Sequence, residues 1–146
     1  MYDNPGVVTK SINLTIWEAH MFRTIVRGVL ALQGALAVLV AVSIFLDPVK
    51  VAAQLGVSPI GSLGIATIRA DMGSLFAGAG LFMLAAALRG DRWFLLPPIV
   101  FTSLALAARA ASMSLSGFEP ALVEPMVVEA VTLTILLIGS ALLTRD

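Results

Sequence analysis

Arg69, Asp71, Arg109 and Glu129 are ionisable residues set inside stretches apolar enough to cross a bilayer. At that depth an ionisable group costs at least roughly 2.5–3.5 kcal/mol on the mildest insertion scale, so each needs a partner or a purpose. Two cations and two anions sum to zero, and the economical expectation is one mutually neutralising cluster inside a helical bundle. A carboxyl in a dry pocket beside a guanidinium can pass a proton to or from a lipophilic substrate while the arginine steadies an anion. Asp71 and Glu129 are therefore the candidate acids or bases, and Arg69, Asp71, Arg109, Glu129 and Ser112 the candidate ligand-binding residues. The plainer alternative is an ion-pair network that serves only to fix helix register.

Other chemistries find less support. His20 is the only histidine, and it sits in the amino-terminal segment, across the bundle from the charges. It has no second histidine to complete a haem site and no nearby serine to activate. Glu119, Glu124 and Glu129 are spaced by five, which sets neighbours about 140° apart on a helix, and the Glu-x-x-His pattern of di-iron bundles is missing. The glycine run from Gly73 to Gly80 lacks the Gly-Lys-Ser/Thr ending of a phosphate loop and suits helix packing instead. Zero cysteines exclude thiolate metal sites, iron–sulfur clusters and disulfides. No metal and no cofactor is expected, and a net charge of zero gives no electrostatic case for nucleic acid.

The elements that must position these residues follow from composition. With 59% hydrophobic residues, 12% charged and a mean hydropathy of +1.00, the chain departs from soluble domains, where charged residues approach about 25%. At about 20 residues per crossing, 146 residues hold four spans and short connections, so residues 1–146 are expected to form one all-α membrane domain. Leu14, Trp17 and Met21 recur at helical spacing among polar residues, which predicts an interfacial helix over Ile12–Phe22 with Trp17 at headgroup level. The amino terminus lacks the layout of a cleaved signal.

Span one is expected over 24–46. Asp47-Pro48 stops it and starts a short surface helix that ends at Gly56. Span two is expected over 62–88, span three over 94–115 with Pro97-Pro98 in its first turns, and span four over 121–143. The tight connection Arg89-Gly90-Asp91-Arg92 makes spans two and three antiparallel neighbours. Lys10, Arg23, Arg27, Arg89, Arg92 and Arg145 gather on one side and Lys50 alone on the other, which predicts both termini in the cytoplasm, with a bacterial inner membrane as the expected setting.

Helix rise places Arg69 roughly 10 Å, Arg109 roughly 9 Å, Glu129 roughly 12 Å and Asp71 roughly 14 Å below the non-cytoplasmic surface. Similar depths predict that spans two, three and four bring the charges together, Asp71 with Arg109 and Arg69 with Glu129, or the reverse. Small residues four apart, Gly73/Ala77 and Ser74/Gly78, predict close helix contacts on span two.

Phe45-Leu46-Asp47-Pro48, Leu55-Gly56, Arg69-Ala70-x-x-Gly73, Arg109-x-x-Ser112 with Gly117 and Pro120, and then Glu129 form an ordered set of short motifs over roughly Gly28–Leu143. In this order they resemble the small four-helix membrane proteins catalogued as domain of unknown function 4345, DoxX-like in layout; Met72, Ser74 and Ser116 depart from that pattern. The resemblance implies a four-helix bundle and no particular reaction. The function expected is a non-catalytic membrane module, self-associating or an accessory subunit of a larger membrane complex, whose polar cluster binds a small amphipathic or lipophilic ligand. The alternatives are a membrane-embedded isomerase or hydrolase and a proton- or ion-conducting homo-oligomer.

Overall fold

The computed structural model describes residues 5–143, with side chains from residue 20 onward. The described residues are helical almost throughout, and four helices are long and apolar enough to cross a membrane: His20–Leu46, Gly61–Arg89, Arg92–Ser116 and Pro120–Leu142. Span one is the apolar part of α1, which runs without a break from Pro5 to Leu46. At 42 residues α1 is about 63 Å long, twice the roughly 30 Å hydrocarbon layer. The segment expected as a separate interfacial helix is thus continuous with span one. The placement expected for Trp17, and the parts of the charge count that fall on Lys10 and Arg145, lie outside the described side chains.

At Asp47 the backbone leaves the helical region (φ −137°, ψ 74°), and Pro48 opens the short α2 (Pro48–Gln54). The Asp47 carboxylate accepts from the Lys50 N–H at 3.1 Å, the N-cap that the sequence implies. Gly56, at φ 73°, turns the chain out of α2 while the Val57 N–H closes on the Ala52 carbonyl at 2.8 Å. Span two comprises α3 (Gly61–Thr67), a six-residue π-helical segment (Ile68–Gly73) and α4 (Ser74–Arg89). A 3₁₀ turn (Arg92–Leu95) leads into α5 (Leu96–Ser116), and another (Pro120–Leu122) into α6 (Val123–Leu142).

Spans one and two form the tightest pair. A Cβ on Gly80 would lie 2.7 Å from the Gly34 carbonyl, and one on Gly34 would lie 2.8 Å from the Gly80 carbonyl, so the two backbones touch where neither residue has a side chain. Gly73 extends the same face, with the Phe45 ring pressed on it. The small-residue pattern therefore acts within the chain through Gly73 and Gly80. Gly78 has nothing near its missing Cβ and Ser74 is exposed, so that second pair faces away.

Two arginines fasten this hairpin at its ends. Arg27 of span one donates from Nε to the Ala87 carbonyl (2.6 Å) and from Nη2 to the Leu88 carbonyl (2.7 Å), at the end of α4. Arg69 of span two donates from Nε to the Phe45 carbonyl (3.1 Å), at the end of α1. Each places a cation where the last helical carbonyls lack backbone donors and the helix dipole is negative.

The four spans close around one core near the Arg89–Trp93 connection. Leu30, Ala86, Leu95 and Leu136 are fully buried there, with Val26, Met83, Ala87 and Leu143 around them. Gly139 lets Leu30 and Leu95 approach α6 to within van der Waals contact. At the opposite end the packing divides. Ile44, Ala52 and Ile68 join span one, α2 and the start of span two, whereas α5 beyond Pro98 and α6 before Leu136 contain no buried residue. The bundle is sealed at the Arg89 end and loosely filled at the Pro48 end.

Candidate functional site

The four charges do not form one cluster. Arg109 and Glu129 meet, Nε to Oε1 at 2.9 Å, across α5 and α6, with side chains 34% and 18% exposed. Arg69 caps α1 instead of pairing with a carboxylate. Asp71 is exposed and makes no hydrogen bond or ion pair among the described residues. Ser112 is also exposed, its hydroxyl donating to the Ala108 carbonyl of its own helix at 2.9 Å.

Register explains the separation. Ile68 packs with Ala52 of α2, so the opening turns of span two lie beside the surface helix, beyond the end of span one. Depth counted from residue 62 therefore starts too far out. From Gln33 to Phe45 along span one, and back from Thr132 to Glu129 along α6, the Arg69 contact lies roughly 13 Å nearer the Pro48 end than Glu129 does. Arg69 and Asp71 belong to that end of the bundle, and Arg109 and Glu129 to its interior.

A residue that charge-based reasoning passes over completes the interior site. Gln33, in the middle of span one, donates from Nε2 to the Thr132 hydroxyl at 2.8 Å. Thr132 is one helical turn from Glu129, so Gln33, Thr132, Glu129 and Arg109 make a continuous polar line through spans one, four and three. The sequence signal was an amide inside an apolar span: such groups bond to a neighbouring helix because lipid offers them nothing.

This line carries an imbalance. Gln33 Oε1 and Glu129 Oε2 are both buried and accept no hydrogen bond from the described residues. An acceptor left in that state costs about 1–3 kcal/mol each. Both oxygens lie within about one turn of Thr132, close to where the packing loosens. Two acceptors beside an ion-paired arginine can accept hydroxyl or amine protons.

Two surface recesses lie away from this pair, one of about 340 Å³ between Ser43 and Gln54 and one of about 170 Å³ lined by His20, Arg23, Thr24, Arg27, Gly90, Leu142 and Leu143.

The chain matches no protein-family model, no curated protein and no solved structure.

Proposed function

We propose that this protein is a non-catalytic four-span membrane module that holds a small amphipathic molecule between its two hairpins. The polar head sits on Gln33, Thr132, Glu129 and Arg109, and the apolar part lies in the loosely packed Pro48 end. The observation that carries this reading is the pair of buried acceptors without donors, Gln33 Oε1 and Glu129 Oε2. A structural network alone gains nothing from leaving them so, because a fully apolar contact is cheaper than a half-satisfied polar one. Asp71, exposed on span two, gives the module a polar contact for a second copy or a larger membrane complex. In this proposal both termini face the cytoplasm, the membrane is a bacterial inner membrane, and α1 before His20 runs along or out of the interface. Kinship with the family of unknown function named above belongs to the same proposal.

The test is to extract small molecules from the purified protein and from Gln33→Leu, then identify them by mass spectrometry. Gln33→Leu removes the unsatisfied acceptor together with the bond to Thr132 and retains bulk, and a retained thermal unfolding transition verifies that it folds. The proposal expects a hydroxyl- or amine-bearing amphiphile in near-stoichiometric amount with the parent protein and its marked depletion from the variant. Bulk bilayer lipids alone in both preparations would overturn it.

A further inference from the structure

The recess at the Arg89 end is independent of the interior line. His20, Arg23, Thr24 and Arg27 follow one another at helical spacing along a single face of α1, and Gly90, Leu142 and Leu143 complete the wall from the second connection and the end of α6. Arg27 is fixed by its two bonds to the Ala87 and Leu88 carbonyls, with its Nη1 still uncommitted beside Gly90. Thr24 is likewise tied down, its hydroxyl donating to the His20 carbonyl at 3.0 Å. Arg23 is exposed and has no partner among the described residues. The acid of the adjoining connection, Asp91, already accepts the Trp93 N–H at 2.9 Å. Among the described residues the recess therefore offers a free guanidinium and part of a second one, and none of those that line it is a carboxylate.

We propose that this recess binds the phosphate of an anionic phospholipid. A guanidinium matches phosphate oxygens with two parallel N–H donors, and Arg27 is held in place before the ligand arrives. The apolar lining identifies the source as a lipid. Leu142 and Leu143 form the apolar wall of the recess, where the first carbons of an acyl chain would lie. Placement at the end of two spans, at the headgroup level, suits a basic inter-helix lipid site.

Native mass spectrometry of the delipidated full-length protein, titrated with phosphatidylglycerol, phosphatidylcholine or inorganic phosphate, tests this. Phosphatidylglycerol is expected to bind in preference to phosphatidylcholine, and Arg23→Gln to weaken it about fivefold, the effect of one well-placed charge. Arg92→Gln removes an equal charge from the same end outside the recess and should have less than half that effect. Equal losses in the two variants would reduce the interaction to diffuse surface charge and overturn the site, as would equal binding of the two lipids. Inorganic phosphate at millimolar concentration should leave the bound lipid in place; its displacement of phosphatidylglycerol would overturn the lipid as the ligand's source. Arg23 makes no hydrogen bond or ion pair among the described residues, so its substitution is expected to leave the fold intact, which an unchanged thermal unfolding midpoint verifies.

Discussion

Arg69 and Arg109 are the same residue type in similarly apolar surroundings, yet they meet opposite needs. Arg109 neutralises a carboxylate, and Arg69 satisfies the carbonyl end of a neighbouring helix. A double-mutant cycle on thermal unfolding in detergent separates the roles. The Arg109/Glu129 cycle should return a coupling of about 1 kcal/mol or more, and the Arg69/Glu129 cycle a value within about 0.5 kcal/mol of zero. Arg109→Met alone should cost about 1–3 kcal/mol by stranding Glu129, and adding Glu129→Leu should recover part of that loss. Recovery of Arg69→Leu by any substitution at Glu129 would contradict the separation. The ionisable residues were legible in the sequence as the expensive ones, but their partners were not. A backbone carbonyl left open by a helix end is as good a destination for a guanidinium as a carboxylate, and composition does not record which carbonyls are open. Gln33 was legible in principle and overlooked because it bears no charge.

Among the elements, the first hairpin is the rigid part of the molecule. Its backbones touch at Gly34 and Gly80, and Arg27 and Arg69 close its two ends. Gly80→Ala should destabilise by about 2 kcal/mol or more, because the new methyl would meet backbone atoms that cannot turn aside. Gly78→Ala, two residues away and facing open space, should be neutral or stabilising by up to about 1 kcal/mol through helix propensity. Thermal unfolding of the two variants checks both, and equal effects would mean that the close approach has been misplaced. The sequence reported the small-residue spacing on span two, but two overlapping pairs satisfied the same rule. Only the facing Gly34 decides which side is used, and its pairing with Gly80 is a tertiary fact. Helix ends are legible in sequence where residues act locally, as Asp47-Pro48, Gly56 and Gly90 do here. The depth of Arg69 was misjudged because the overlap between span two and the surface helix depends on packing.

At the scale of the whole molecule, the bundle is sealed by Leu30, Leu95 and Leu136 at one end and divided at the other. The absence of cysteine makes the orientation easy to establish. Ser58→Cys should react with an impermeant maleimide in intact cells, and Arg92→Cys only after permeabilisation; the reverse pattern would invert the topology. The four-span layout and its bias in basic residues were visible in composition and spacing. The division between a sealed and an open end was not, since it depends on which residues find neighbours. The claim on which this account turns is that Gln33 Oε1 and Glu129 Oε2 await a donor-bearing head between the hairpins. A crystal structure of protein purified without added ligand, at a resolution that shows ordered water, measures this directly. It should show the head of an amphipathic molecule within hydrogen-bond distance of both oxygens, with its apolar part extending toward the Pro48 end. Satisfaction of both oxygens by protein donors or by water alone, with side chains filling the space between the hairpins, would contradict the account.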